Sequence, residues 1–361
     1  MAGGSGTRFW PESRKKRPKQ LLQIISDKTM VRATAERILP EISFDRIMVV
    51  TTEVYAEEIK RELPEVSHNM IVAEPQGRNT APCIGLAAYK IAKQDPDAVL
   101  IILPADHLIA NEEAFLKALR AAYQAASSND YLITFGIVPS CPETGYGYIE
   151  LGREISGIGS ERLFHVKSFV EKPDLVTAKR YLAGGNYLWN SGMFVWKAAT
   201  VMEALKRFKP ESYEGLKKIQ DAWGTDRQQA VLAEVYPTLP KTSVDYALME
   251  PASKAKDRQL SVCTVLMDLK WLDVGSWPSF GETINADAQK NRTAGGAHGG
   301  KAVIANSTGN LIVNPVAGHT VALLGCKDLI VVHTPDATLV MPRERAEELK
   351  ELHGKVEDGL K

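Results

Sequence analysis

From residue 30 to residue 137 the apolar positions switch repeatedly between helical spacing and short continuous runs, and this switching predicts the fold class. Residues 30–39 place their apolar side chains on one helical face until Pro40 stops the pattern, and residues 46–51, Arg-Ile-Met-Val-Val-Thr, follow as a short buried strand. A helix over 56–62 leads to a strand at 71–73. Thr80, with Pro82 just inside, marks the start of a helix that continues through the helix formers of 84–93. Residues 98–103 are apolar almost without a break, the pattern of a parallel strand covered on both faces. A helix over 113–126 and a strand over 131–137 complete a βαβαβ series. It predicts an α/β fold with a doubly wound, mostly parallel sheet whose ligands gather at the strand carboxyl ends.

The pattern then loosens. A glycine-and-tyrosine turn occupies 143–149, strands are expected at 163–170, 190–196 and 260–266, helices at 200–207 and 210–222, and a capped helix start at 243–250. Near Asn285 the character changes. Residues 285–300 are rich in Asn, Ala and Gly, as a linker is, and short β runs follow at 301–305, 311–313, 320–324, 328–333 and 338–341 before a charged amphipathic helix over 343–356. The expected division is an α/β domain over 1–284 and a small β domain over 285–361. The β runs show no sharp internal repeat, although strands so short and closely spaced allow the coil of a β-helix.

Composition adds mainly exclusions. A chain of 361 residues has two domains as its prior. With 44 basic and 44 acidic residues there is no global field to draw it onto nucleic acid or an anionic membrane, so any anion site is local. No apolar run reaches the roughly 20 residues that span a bilayer, and no secretory-type leader opens the sequence, so a soluble, cytoplasmic protein is expected. Cys83, Cys141, Cys263 and Cys326 lack zinc-ligand spacing and read as small hydrophobes in a reducing compartment.

The chemistry-bearing stretch comes first in the chain. Gly3, Gly4 and Gly6 let a backbone turn sharply and bring its N–H groups to an anion, and Arg8 and Lys19 supply fixed positive charge. The spacing matches neither the P-loop nor the Rossmann fingerprint. A phosphate loop of this fold class hangs from a central strand, yet this one begins at residue 2; the expectation is a truncated or misassigned start that leaves the sheet without its first strand. Other candidates follow, most of them at predicted strand ends. Residues 74–80, Glu-Pro-Gln-Gly-Arg-Asn-Thr, offer groups for a nucleobase edge and Arg78 for phosphate, or form a plain turn and helix cap. Asp106 and Asp273 suit a divalent metal on phosphate oxygens, or serve as turn residues. Glu171 and Lys172 alone are an ordinary solvated pair. Residues 14–17 are a basic solvated face that also suits steering of a polyanion.

Taken whole, Gly3-Gly4-Ser5-Gly6-Thr7-Arg8 with Trp10-Pro11, Ser13-Arg14 and Pro18-Lys19-Gln20 resembles the signature of the nucleotidyltransferases that make nucleotide sugars, and within them the mannose-1-phosphate guanylyltransferases. The resemblance is strong over residues 2–277 and looser over the β tail. It implies synthesis of GDP-mannose and diphosphate from GTP and α-D-mannose 1-phosphate, with Mg²⁺ as cofactor. By the same resemblance Gly3, Gly4, Ser5, Gly6, Thr7, Glu74, Arg78, Asn79 and Thr80 hold the nucleotide, Arg8 and Lys19 its triphosphate, and Asp106 and Asp273 the metal. Glu171, Asn190 and the backbone of Gly147 meet the sugar, and Lys172 its phosphate. Trp10, Arg14 and residues 77–80 favour guanine, and His107 is packing or indirect support. The β tail is implied to contain a left-handed β-helical element that pairs subunits into a homodimer. Two other readings stay open: a sugar nucleotidyltransferase of other specificity, such as a glucose-1-phosphate thymidylyltransferase, and a non-catalytic nucleotide-sugar-binding subunit.

Overall fold

The computed structural model describes residues 1–361 apart from Ser5, Ile158, Ser160, 256–259 and 296–298. Its α/β part runs α1 (Met30–Arg37), β1 (Val49–Thr52), α2 (Glu53–Glu62), β2 (Ile71–Glu74), α3 (Thr80–Ala92), β3 (Val99–Ile102), β4 (His107–Ile109), α4 (Glu112–Ser128), β5 (Leu132–Ile137), β6 (Tyr148–Ile155), β7 (Leu163–Val170), α5 (Leu175–Gly184), β8 (Tyr187–Lys197), α6 (Ala198–Phe208), α7 (Pro210–Ala222), α8 (Gln228–Val235), α9 (Glu250–Lys254), β9 (Val262–Met267), β10 (Trp271–Asp273) and α10 (Trp277–Gly281). Several helices start where a side chain satisfies a free N–H group: Thr29 accepts from Arg32 N, Asn111 from Ala114 N and Asp174 from Thr177 N. The capped helix start expected over 243–250 is present, with Ser243 Oγ accepting from Tyr246 N at 3.4 Å, but its first turn is π-helical, Asp245–Met249, and leads into α9.

Six strands form one sheet in the order β3-β8-β5-β9-β7-β6. Alternation along β5 shows how it is covered: Ile133, Phe135 and Ile137 enter a core with α4, and Leu132 enters a second core with α3, α6 and α7. Helices on both faces bear out the doubly wound α/β class. The sheet is mixed, however. β5 and β9 are parallel, while β8 runs antiparallel between β3 and β5, and β6 and β7 pair antiparallel as well, since such neighbours need no crossover helix. β1 and β2 form a separate parallel pair. Between β1 and β3, Met1 and Ala2 carry the hydrogen bonds: Ala2 N donates to Val50 O at 2.8 Å, the terminal ammonium to Leu103 O at 2.8 Å, and Ala105 N to Met1 O at 3.1 Å. No described helix is long and apolar enough to cross a membrane.

The C-terminal part contains β11 (Arg292–Ala294), β12 (Lys301–Ala305), β13 (Leu311–Val313), β14 (Thr320–Leu324), β15 (Leu329–His333), β16 (Thr338–Pro342) and α11 (Leu349–Lys355). β11, β13 and β15 stack in parallel, as do β12 and β14. The stack repeats every 19 residues: Asn310 N and Nδ2 donate to Asn291 Oδ1 at 3.1 and 2.9 Å, and Leu329 N donates to Asn310 Oδ1 at 2.9 Å. Lys290, Gly309 and Asp328 turn the matching corner with φ of 63°, 70° and 52°. This coil corrects the absence of a repeat in the sequence reading. Only its corner and inward positions are constrained, so successive coils share few residues. The expected linker over 285–300 is also corrected, because Asn291 opens the ladder and β11 lies inside it. The single helix expected over 343–356 is a 3₁₀ turn, Arg343–Glu348, followed by α11.

Candidate active site

The glycine loop lies just past the carboxyl ends of β1 and β3. Gly6 has φ 65°, and a Cβ there would stand 2.6 Å from Lys19 Cβ, so the loop passes Lys19 only because this residue is glycine. The loop is braced from below: Gln20 Nε2 and Thr51 Oγ1 donate to Ala2 O at 2.6 and 2.8 Å, and Ser13 Oγ donates to Gly6 O at 2.7 Å. Gly3, Gly4, Gly6, Thr7, Arg8, Lys19 and Asp106 line one cavity together with Gly275 and Lys350. Ser5 lies outside the described residues.

The two candidate metal aspartates are brought together by a ladder the sequence reading did not resolve. β4 and β10 pair antiparallel with His107 opposite Asp273, which sets Asp106 and Asp273 side by side. Lys19 Nζ donates to Asp106 Oδ2 at 2.8 Å and stands 3.7 Å from Asp273 Oδ1. Burial is the largest single influence and raises the Asp106 pKa, but the charge and hydrogen bond of Lys19, the charge of His107 and the terminal ammonium together outweigh it, so the carboxyl titrates below its ordinary value. Ligand atoms of Asp106, His107 and Asp273 all lie within 4.8 Å of one another. Two hard carboxylate oxygens so placed fit a divalent cation. Burial lowers the His107 pKa, and its Nδ1 accepts from Trp271 Nε1 at 3.3 Å, a role that suits the neutral ring.

A second cavity, lined by Gly147, Glu171, Lys172, Asn190, Asp245 and Asp273 among others, opens on the other side of that pair. The Glu171 side chain is 7% exposed; Oε1 pairs with Lys172, and Oε2 is buried with no hydrogen-bond partner among the described residues. Oε2 packs so close to Gly147 that a Cβ there would clash, and Gly147 O accepts from Asn190 N at 2.8 Å, so this glycine gives Glu171 its place. Lys172 has φ 48°, a strained conformation of the kind held at binding sites. Asn190 is fixed at both ends of its amide: Oδ1 accepts from Thr134 Oγ1 and Nδ2 donates to Asp245 Oδ1, each at 2.8 Å. Sequence reasoning missed Asp245. Desolvation, with the charge of Glu171 added, pushes its carboxyl up to about 6. The available signal is an acidic residue near the start of an apolar helical segment, in a stretch that reads only as a capped helix start.

The 74–80 segment flanks the loop, and Cβ atoms built on Gly3 and Gly77 would both face the Thr52 methyl, at 3.9 and 4.0 Å. Glu74 is a correction. It is 3% exposed, it accepts a hydrogen bond from Tyr236 Oη, and its Oε2 abuts Gly3, so it supports the loop from beneath and does not face the cleft. Burial pushes its carboxyl up to about 7 against the lowering effect of that hydrogen bond. Asn79 Oδ1 accepts from Thr80 N at 2.8 Å and Thr80 Oγ1 from Val244 N at 2.9 Å, tying the start of α3 to the turn that carries Asp245. Arg78 is half-buried and Asn79 exposed. Trp10 and Arg14 reach the other domain. Trp10 Nε1 donates to Leu360 O at 2.9 Å and Arg14 Nη2 to Asp336 Oδ1 at 2.7 Å, so both join the loop to the C-terminal domain.

The nucleotidyl transferase family profile matches residues 1–290, and a profile described as a MannoseP isomerase/GMP-like beta-helix domain matches residues 300–356. Mannose-1-phosphate guanylyltransferase ManC of Salmonella typhimurium is 41% identical over 363 residues, covering 99% of this chain and 72% of its own length. The mannose-1-phosphate guanylyltransferase of Escherichia coli is 41% identical over 359 residues, 98% of this chain and 71% of its own. A solved structure from Thermus thermophilus, described as a mannose-1-phosphate geranyltransferase, matches with a TM-score of 0.84 at 33% identity over 98% of this chain and 97% of that one. On these matches the chain belongs to the nucleotidyl transferase family, beside the mannose-1-phosphate guanylyltransferases.

Proposed function

We propose that this chain joins GTP and α-D-mannose 1-phosphate into GDP-mannose and diphosphate, by in-line attack of the sugar phosphate on the α-phosphorus. The observation that carries the reading is the position of the aspartate pair: Asp106 lines the glycine-loop cavity and Asp273 lines the Glu171–Asn190 cavity. A triphosphate in the first and a sugar phosphate in the second meet at the pair. The sugar phosphate is already an anionic nucleophile, so the transfer demands positioning and charge neutralisation and no general base. Loop N–H groups and Arg8 hold the triphosphate, Lys19 orients the carboxylates and balances their charge, and Lys172 places the attacking phosphate. Glu171 and Asp245 accept from sugar hydroxyls, with Asn190 holding Asp245 in place. Mg²⁺ held by Asp106 and Asp273 would supply charge neutralisation on phosphate oxygens. One such cation near the α-phosphate is worth about 3 kcal/mol, roughly a hundredfold in rate. Arg78 and Asn79 remain open to a base at the loop's flank. The exposed Val303 and Leu324 on β12 and β14 support pairing of two copies into a homodimer.

The deciding experiment is diphosphate release across GTP, ATP, UTP and dTTP, each with mannose, glucose and galactose 1-phosphates. The proposal expects GTP with mannose 1-phosphate to lead by at least an order of magnitude, because a site built to pair with a base leaves polar groups unsatisfied when the wrong base binds. Equal turnover of the four nucleotides would overturn it.

A further inference from the structure

The cavity at the glycine loop has one wall that the α/β domain does not supply. Lys350, in the first turn of α11, lines it opposite Gly3, Gly4 and Gly6. The other two side-chain cations of that cavity are engaged with carboxylates, Lys19 with Asp106 and Asp273 and Arg8 with Glu347 at 3.3 Å, and the terminal ammonium of Met1 is held by Leu103 O. Lys350 is exposed and, among the described residues, makes no hydrogen bond or ion pair. Its backbone is nevertheless well placed. The neighbouring Leu349 is 2% exposed in the same core as Phe9 and Trp277, whose rings meet at 5.0 Å directly behind the loop. Lys15 N donates to Lys361 O at 2.6 Å, so the end of the chain grips the loop from a second side.

We infer that Lys350 is a triphosphate-binding residue, and that the C-terminal domain thereby completes the nucleotide site. The inference rests on the proposed function. The α-phosphorus has to face the aspartate pair for the sugar phosphate to reach it, so the rest of the triphosphate stays in the glycine-loop cavity, within reach of Lys350. That part leaves as diphosphate. An unpaired ammonium over its oxygens adds a charge-assisted contact that the loop's own cations, already balanced by carboxylates, supply less well. Arg8 adds to it by exchanging the exposed Glu347 carboxylate for phosphate, an exchange of low cost because a surface ion pair is worth little.

The test compares wild type with Lys350→Met, Lys350→Arg and Lys355→Met, the last a charge removal on the same helix away from the cavity. KM is measured for GTP and mannose 1-phosphate in the forward direction, and for diphosphate and GDP-mannose in reverse. Lys350→Met is expected to raise KM for GTP and for diphosphate about tenfold, with mannose 1-phosphate and Tm unaffected, Lys350→Arg retaining most binding and Lys355→Met none of the defect. Unchanged KM for both GTP and diphosphate in Lys350→Met would overturn the inference. If wild type itself fails to turn over sugar phosphate, the functional proposal falls separately. Calorimetry of inorganic diphosphate binding to wild type and Lys350→Met then decides the role of Lys350, with equal affinities counting against it.

Discussion

Lys19 Nζ donates to Asp106 Oδ2 at 2.8 Å while standing 3.7 Å from Asp273 Oδ1, so one ammonium holds together the two carboxylates that fit a divalent cation. Lysine and metal are thus alternative or joint partners of the same oxygens. Lys19→Met should lower the Tm of the metal-free protein by about 5 °C, because two neighbouring carboxylates lose their counter-charge. Millimolar Mg²⁺ should restore more of the lost Tm in the variant than it adds to wild type. Thermal melts with and without Mg²⁺ check this; a loss that Mg²⁺ leaves untouched would count against shared occupancy.

Glu74 carries a pH prediction. Its folded-state pKa, about 7, lies above the ordinary 4.5, so its contribution to stability is fully present below about pH 4.5 and is lost as pH rises through 7. The difference is on the order of 3 kcal/mol. Glu74→Gln should therefore flatten the fall in Tm between pH 5 and 7.5. Tyr236→Phe removes the hydrogen bond that lowers this pKa and should push the fall to higher pH. Parallel pH–Tm curves for wild type and Glu74→Gln would show that another group governs the window.

Asp245 should show opposed effects on stability and binding. Its pKa is raised from 3.8 to about 6, so at neutral pH its charge opposes folding, and that cost disappears below about pH 4. Asp245→Asn keeps an acceptor for Asn190 and should raise Tm at pH 7.5 by about 3 °C, with no gain at pH 4. The same variant should raise KM for mannose 1-phosphate and leave KM for GTP alone. Steady-state kinetics varying each substrate separate these effects, and an unchanged sugar KM would remove Asp245 from the site.

The sequence exposed some of this arrangement and concealed the rest for identifiable reasons. α7 and β12 to β14 begin and end where the sequence pattern puts them, since Pro210 opens the helix and Gly, Asn and Pro break the short β runs. Asp106 is legible as a strand-end carboxylate. Asp273 and its convergence with Asp106 come from the family resemblance alone, because β4 and β10 have three residues each, too few to show a period. Glu74 looked like a ligand group because burial is not written locally; its partner Tyr236 lies 162 residues away. Trp10 and Arg14 are legible as part of the guanylyltransferase signature, but their partners Leu360 and Asp336 sit in the other domain, more than 300 residues along the chain. The strand expected ahead of the glycine loop has its counterpart in Met1 and Ala2, which hydrogen-bond to Val50, Leu103 and Ala105. Asp245 was hidden by its π-helical turn, which helical spacing does not mark.

The central claim, that Asp106 and Asp273 act as one unit between the two substrates, is tested most directly by a double-mutant cycle on turnover. Wild type, Asp106→Ala, Asp273→Ala and the double variant are assayed for GDP-mannose formation at several Mg²⁺ concentrations. Each single substitution is expected to cost at least about a hundredfold in kcat/KM, the double to cost little more than either, and excess Mg²⁺ to restore part of the loss in the singles. Additive losses insensitive to Mg²⁺, or full activity of either single variant at low Mg²⁺, would contradict the account.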